Sequence, residues 1–370
     1  MQLDKIGYKL DMSNKMDRKL EFGSKRYLQI SKLLSRVDTF NGSWQELDRK
    51  EAKYLKELRK MATVASVGSS TRIEGVQMTD AEIEKLLRSV KINKLEKRDE
   101  QEVVGYYEAL KVILEHYDEI ELSERYIHQL HGILLKHSYK DQTHKGQYKQ
   151  LSNKVVANYP DGTQKVIFNT TEPHLTPGEI QQLLSWTHEA IKAEEIHPAI
   201  IVGGFVYEFL SIHPYQDGNG RLSRLLTTLL LMQLGYDFVQ YISFEHVIEA
   251  RKEEYYRALM QGQKDRNSED EKIDGWLIFF LECMVSLTER LDEKYTTYSK
   301  IKLELNDRQK SILNFIKQER TTKVGEIERA LSDYSRNTIK KDLSYLLKEG
   351  LVLRTGAGRG VQYHYIEESQ

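Results

Sequence analysis

Twelve consecutive residues, His213-Pro214-Tyr215-Gln216-Asp217-Gly218-Asn219-Gly220-Arg221-Leu222-Ser223-Arg224, concentrate the chemistry of this chain. An unperturbed histidine titrates near neutrality, so His213 at the entrance of a loop can take a proton from an attacking hydroxyl. Asp217 offers a hard oxygen to Mg²⁺, an ion that keeps most of its waters and bridges phosphates. Gly218 and Gly220 let successive backbone N–H groups converge where a helix begins, which binds phosphate without any side chain. Asn219 can donate to a non-bridging oxygen. Arg221 and Arg224 stand one helical turn apart, so both guanidinium forks can face the same phosphates. Displacement at phosphorus needs an oriented nucleophile, charge neutralisation and an in-line leaving group, and these side chains answer each need. Singly, every residue has a plainer reading: a histidine before proline packs or caps, Asp-Gly turns, and arginines on a helix face are solvated. Their coincidence in one short segment favours the chemical reading.

The flanking sequence supplies the frame. Phe205 to Leu210 is apolar and helical, Ser211 to Gly220 interrupts with proline and two glycines, and Arg221 to Leu234 resumes an apolar helix. Apolar residues at three-to-four spacing predict further helices over Tyr54 to Val67, Ala81 to Val90, Val103 to Leu114, Glu124 to Leu135 and Pro177 to Ala193. Only five prolines occur, all between 160 and 214, which leaves most of the chain free to be helical. Val155 to Phe168 breaks the pattern: two short β-branched runs flank Tyr159-Pro160-Asp161-Gly162, a hairpin signal because glycine accepts positive φ. Met284 to Leu305 carries Leu287, Leu291, Tyr295, Tyr298 and Ile301 on one face and predicts a long amphipathic connector. Beyond it the pattern is three helices (Asp307 to Glu319, Lys323 to Leu331, Ser335 to Glu349) and a hairpin tipped by Gly356-Ala357-Gly358-Arg359-Gly360, the winged helix-turn-helix outline. Residues 306–366 hold twelve Lys/Arg against seven Asp/Glu. That excess, with Arg336, Lys340 and Lys341 on the third helix, makes DNA or a protein the expected partner of 306–366.

Bulk properties bound the rest. At 370 residues two or three domains are expected, and 30% charged with 39% apolar residues describes a soluble, helix-rich chain. Lysine plus arginine number 55 and aspartate plus glutamate 56, so the chain is not basic throughout. A single cysteine, Cys283, excludes an internal disulfide and a cysteine metal cluster and fits a reducing cytoplasm. Met1 to Lys19 has no apolar core of a secretory signal. The densest apolar run, Leu225 to Leu234, is too short to span a membrane. His128 and His131 have helical spacing but no carboxylate or cysteine pattern to complete a metal site, and are expected to be packing or surface residues. No Walker-type phosphate loop occurs.

The segment from His213 to Arg224 resembles the Fic-family signature, His-Pro-Phe-x-Asp/Glu-Gly-Asn-Gly-Arg-x-x-Arg, with Tyr215 in place of the usual Phe. The resemblance extends over about residues 60–285 and implies a mainly α, Fic-type helical bundle with a β-hairpin flap, followed by the winged helix. It implies His213 as general base, Asp217 as Mg²⁺ ligand, Asn219, Arg221 and Arg224 in catalysis, and an ATP-binding stretch from Gly218 and Gly220 through Leu222 and Ser223 to Arg224. It further implies an adenine pocket with Tyr256 and Gln263, and a flap at 155–168 that aligns a protein substrate by strand addition. Ser70-Thr71-Arg72-Ile73-Glu74-Gly75 resembles the inhibitory Ser/Thr-x-x-x-Glu-Gly/Asn motif of the same family. A Glu74 carboxylate paired with Arg224 would take the place of a γ-phosphate at the ATP site, with Ser70 and Gly75 completing the motif. The expected organisation is an N-terminal helical region over 1–100 with the inhibitory helix at about 60–75, a Fic core at 101–285, a connector at 286–305 and a winged helix at 306–370. The implied function is AMP transfer from ATP, with Mg²⁺, to Ser, Thr or Tyr of a protein, by a cytoplasmic homodimer. Three alternatives remain at this level: AMP removal with Glu74 orienting a water, transfer of another group such as UMP or phosphocholine, and a regulator that senses ATP and binds DNA. Intact His213, Asp217, Arg221 and Arg224 argue against a degenerate site, and the retained Gly220 argues against Fic-related phosphotransferases, which carry Lys there.

Overall fold

A computed structural model of the chain describes residues 15–48, 52–89, 95–158, 164–303, 305–319, 321–356 and 361–364. In order these form α1 (Lys15–Lys19), α2 (Ser24–Asp48), α3 (Ala52–Ile73), α4 (Asp80–Ser89), α5 (Arg98–His116), α6 (Glu124–Leu134), β1 (Lys154–Asn158), β2 (Gln164–Asn169), α7 (Thr176–Ala193), α8 (Pro198–Ile212) and α9 (Asn219–Gln233). A 3₁₀ turn (Asp237–Tyr241) leads to α10 (Phe244–Ala250), α11 (Lys252–Gly262), α12 (Asp274–Leu303), α13 (Asp307–Glu319), β3 (Thr321–Thr322), α14 (Val324–Ala330), α15 (Arg336–Lys348), β4 (Leu353–Thr355) and β5 (Gln362–His364). The fold is mainly α, as expected. It divides into two compact units, Met1–Gln45 with Leu58–Thr288, and Glu46–Glu57 with Glu289–Gln370, and both α3 and α12 run through the division.

The core of the first unit is built on α8 and α9. Every residue of α8 from Ile201 to Ile212 is buried, because a helix apolar on all sides is stable only when enclosed. It packs against α7 and α9. Gly203 brings α8 close to α12: a methyl there would meet Leu277 Cδ2 at 2.7 Å, and Trp276 Nε1 donates to the Gly203 carbonyl at 2.8 Å. The helix is longer than the expected Phe205 to Leu210, because an all-round apolar helix has no period to read.

The end of α8 follows from Pro214. A residue before proline is disfavoured in the α region, and His213 leaves the helix at φ 54°, ψ 61°, its N–H still bonded to the Phe209 carbonyl at 2.9 Å. Gly218, at φ 83°, restarts the chain into α9. The β1–β2 hairpin is antiparallel, pairing Lys154 with Asn169 and Val155 with Phe168, and shifts register between Val155 and Val156. Its predicted turn, Tyr159-Pro160-Asp161-Gly162, lies outside the described residues.

The second unit packs α13, α14 and α15 on a three-stranded antiparallel sheet of order β3-β5-β4. Ile312, Ile316, Ile327, Ile339, Leu343 and Leu346 form its core. Ser335 caps α15, accepting from the Thr338 N–H at 3.3 Å. The predicted tip at Gly358-Arg359-Gly360 lies outside the described residues. No helix among the described residues is long and apolar enough to cross a membrane.

Candidate active site

The loop between α8 and α9 is held from within and from behind. Asn219 accepts from the Tyr215 N–H at 2.8 Å through Oδ1 and donates to the Tyr215 carbonyl at 2.7 Å through Nδ2. Both ends of this buried amide are thereby used. Its side chain staples the loop, with one of the two Nδ2 protons spent on the Tyr215 carbonyl. Tyr215 is fully buried, stacks on His131 with ring centroids 3.8 Å apart, and shares a hydrogen bond between its hydroxyl and His128 Nδ1 at 2.8 Å. His131 accepts from the Gly146 N–H at Nδ1 (2.8 Å), which leaves Nε2 to donate to the Asp217 carbonyl at 3.0 Å. Burial lowers the His131 pKa to about 4, so the ring stays neutral and that tautomer persists.

His213 stands half-buried at the loop entrance. Its Nδ1 lies 3.3 Å from the Leu210 carbonyl, an acceptor only, so the proton resides on Nδ1 and the Nε2 lone pair is available. Burial and the Lys149 ammonium lower its pKa to about 4, which makes the imidazole a proton acceptor throughout the neutral range.

The two arginines hold different carboxylates, Arg224 that of Glu74 and Arg221 those of Asp217 and Glu102. Arg224 is buried; Nη2 donates to Glu74 Oε1 at 2.8 Å and to the Ser70 carbonyl at 3.0 Å, and Nε donates to Ser70 Oγ at 2.7 Å. Arg221 is equally buried, with Nη2 3.3 Å from Asp217 Oδ1 and Nη1 3.1 Å from Glu102 Oε2. The Glu102 contact lacks hydrogen-bond alignment, and Nε and Nη1 of Arg221 are buried donors without hydrogen-bond partners. Burial pushes the Glu74 carboxyl up, but Arg224 and Arg221 pull it below its ordinary value, so it is ionised at neutral pH. A methyl on Gly220, in the first turn of α9, would collide with Glu74 Oε1. A carboxylate therefore stands in for an anion at a helix N-terminus that has no side-chain cap.

Glu74 is delivered by the end of α3. The Val76 N–H bonds to the Thr71 carbonyl at 3.1 Å and the Gly75 N–H to the Arg72 carbonyl at 3.0 Å, with Gly75 at φ 112°. This is the Schellman closure of a helix C-terminus. This closure sets the direction in which Glu74 leaves the helix end. Arg72 clasps Glu249 at 2.7 and 3.1 Å and Asp80 at 2.8 Å, and Lys252 Nζ bonds the Ile73 carbonyl at 2.8 Å.

Other expected residues are arranged as follows. Asp217 Oδ1 accepts from the Gly218 N–H at 2.6 Å, while Oδ2 has only Lys140, 3.9 Å away. No group of three or more metal-ligating side chains occurs among the described residues. An Asp217 Oδ2 whose nearest cation is Lys140 at 3.9 Å would suit Mg²⁺ carried by phosphates, since that ion takes one or two protein carboxylates and otherwise water and phosphate. Leu222 and Ser223 are buried in α9, Ser223 bonding back to the Gly220 carbonyl. Tyr256 is buried in α11. Gln263, at the end of α11, donates to the Tyr207 hydroxyl at 2.9 Å and to Ser211 Oγ at 2.5 Å, and its Oε1 is buried without a partner. Sequence reading missed Glu102, Lys149 and the loop-holding roles of His128 and His131. The one available signal was the tyrosine in a loop position that demands an apolar ring, which calls for a polar partner.

A helix–loop–helix anion cradle with an imidazole at its mouth, a hairpin beside it and a helical frame around it defines a Fic-type domain. Comparison with known proteins agrees: residues 121–231 match the Fic/DOC family and residues 308–362 the DeoR-like helix-turn-helix domain. The chain carries a Fic domain and a helix-turn-helix domain. It is 29% identical over 190 residues to a protein adenylyltransferase Fic of Culex quinquefasciatus, a match over 49% of this chain. The match spans about a third (34%) of that relative's length. Among solved structures it is similar in fold to a Fic family protein from Desulfovibrio desulfuricans G20 (TM-score 0.63, 18% identity, 95% of this chain and 99% of that one). A Fic domain containing signaling protein from Bacteroides thetaiotaomicron VPI-5482 gives TM-score 0.54 at 21% identity, over 70% of this chain and 94% of that one.

Proposed function

We propose that the chain transfers AMP from ATP to a Ser, Thr or Tyr hydroxyl of a target protein and of itself, and that Glu74 holds this activity in check. His213 Nε2 takes the hydroxyl proton as the hydroxyl oxygen bonds to the α-phosphorus; the bond from that phosphorus to the β-phosphate oxygen breaks and pyrophosphate leaves. Arg221, at the first turn of α9, and Arg224, once released from Glu74, hold the departing phosphates together with the α9 amide groups. Mg²⁺ at Asp217 would neutralise phosphate charge. The hairpin at 155–168 aligns the target main chain by strand pairing, for which a two-stranded sheet leaves edges available. The curated relatives' activity supports the same chemistry.

The observation that carries the regulated form of this reading is the Glu74–Arg224 pair, 2.8 Å long, against the first turn of α9. An anion already resides where phosphate would be gripped, and its removal frees an arginine. Purified Glu74→Gly and unaltered chains are incubated with ATP and Mg²⁺ and searched by intact mass spectrometry for adenylyl adducts. The variant is expected to gain adducts well beyond the unaltered chain; equal occupancy in both would remove the brake from the account.

A second, independent role belongs to the second unit. Ser335, Arg336, Asn337, Lys340, Lys341 and Ser344 share the exposed face of α15, and this basic face together with the DeoR-like match supports docking in a DNA major groove.

A further inference from the structure

Three carbonyls border His213, those of Ile212, Pro214 and Tyr215, and all are bound from one segment, the stretch leading from α6 into the hairpin. Lys149 donates from Nζ to the Ile212 carbonyl at 2.9 Å and from its main-chain N–H to the Pro214 carbonyl at 2.9 Å. Asn153 donates from Nδ2 to the Tyr215 carbonyl at 2.8 Å. The other Nζ protons of Lys149 go to Asn153 Oδ1 at 3.0 Å and Thr170 Oγ1 at 2.8 Å, and these two residues stand at the two feet of the hairpin. Thr170 Oγ1 closes the ring by donating to Asn153.

Lys149 is 3% exposed, and among the described residues it makes no ion pair within 4 Å. Burying an ammonium on neutral oxygens is costly. An apolar side chain would fill the space without that cost, so packing alone does not account for the charge. What the charge does is fix three neutral oxygens from two separate pieces of chain at one point.

We propose that Lys149 is the positioning residue of His213: its ammonium ties both feet of the hairpin to the carbonyls flanking the histidine, so that the strand meeting a target and the imidazole receiving its proton move as one body. The chemical half of this rests on the AMP-transfer reading; the mechanical half does not. His213 needs such support because it is held in the left-handed region, which costs a non-glycine residue on the order of 1 kcal/mol unless its surroundings enforce it.

The ammonium also acts on the ring through space. Glu74 from α3 and Asp217 from the loop itself favour the protonated imidazole; burial and Lys149 oppose them. Removing the ammonium therefore raises the ring's proton affinity, and the acid limb of the rate moves to higher pH.

The test uses the full chain carrying Glu74→Gly, alone and with Lys149→Met, Lys149→Gln or Lys149→Arg. Amide hydrogen exchange reads the tie without turnover. In Lys149→Met, exchange is expected to quicken by about tenfold in 150–158, 164–170 and 213–217 together, with α5 and α9 unchanged, and to be restored in Lys149→Arg. AMP incorporation by Lys149→Met is expected to fall about a hundredfold in kcat, the scale of a displacement of about 1 Å, with KM for ATP unchanged. Lys149→Gln keeps donors without the charge, so it recovers protection while its acid limb stays raised; Lys149→Arg returns the limb to its parent position. Exchange that quickens in the hairpin alone, or a Lys149→Met chain as protected and as active as its parent, overturns the proposal. If Lys149→Met does not fold, Lys149→Gln against Lys149→Arg decides in the same readouts. Should the Glu74→Gly parent incorporate no AMP, the transfer reading falls, and hydrogen exchange still decides the tie.

Discussion

Tyr215 occupies the position where the Fic signature usually has phenylalanine, and its hydroxyl shares a hydrogen bond with His128 while its ring stacks on His131. Tyr215→Phe removes one buried hydrogen bond and strands a ring nitrogen, a loss of about 1 kcal/mol. A thermal midpoint a few degrees lower with AMP incorporation kept is the expected result of calorimetry and labelling; loss of incorporation would mean that the hydroxyl does more than anchor. His213 carries a pH expectation. Its proton-accepting form is the neutral ring, and the pKa is lowered to about 4, so the rate should hold through the neutral range and fall only as pH drops toward 4. An acid limb near the ordinary imidazole value of about 6.5 would place His213 in surroundings other than these. The identities in this loop were legible because side-chain type sets what each group can do to a phosphate or a proton. The use of Asn219 was not, since its two partners are main-chain atoms of Tyr215 and only the folded loop brings them within reach. Nor was His131, which meets Asp217 from a helix far away in sequence.

At the scale of elements, the C-terminal end of α3 carries Glu74 and is clamped by Arg72. The clamp joins α3 to Glu249 and to Asp80, and neither residue touches Arg224 in any bond described. Arg72→Ala should loosen the helix end and raise AMP incorporation above the unaltered chain but below Glu74→Gly, because the carboxylate remains tethered nearby. Incorporation assays of the three proteins side by side decide; an Arg72→Ala chain no more active than the unaltered one would show that Arg224 alone holds the tip. The Gly75 closure was readable from sequence, because glycine after an apolar-periodic stretch signals a helix end. The strands flanking Asp161-Gly162 were readable for the same kind of reason. The true extents of α8 and α12 were not: α8 is apolar on all sides and so has no period to read, and α12 begins at Asp274, ten residues before the expected Met284.

Across the whole molecule, the division into units does not follow the chain simply, because Glu46–Glu57 clusters with Glu289–Gln370. Spacing of apolar residues reports local faces, and such a long-range grouping leaves no local trace. The helix-turn-helix outline was legible, since the apolar residues of its helices recur at helical spacing and Ser335 caps α15, whereas the two-residue strand β3 is too short to show a pattern. If α15 enters a DNA groove, Lys340→Ala with Lys341→Ala should weaken binding to duplex DNA and reduce the slope of log affinity against log salt by about two, read by fluorescence anisotropy over a salt series. An unchanged slope would remove α15 from the interface. The central claim, AMP transfer at the α8–α9 loop, is tested most directly by supplying the Glu74→Gly chain with ATP radiolabelled at either the α- or the γ-phosphate, with Glu74→Gly/His213→Ala as control. Label from the α position alone should become covalently bound to protein, and should vanish in the control. Label from the γ position, or label from the α position that persists without His213, would contradict it.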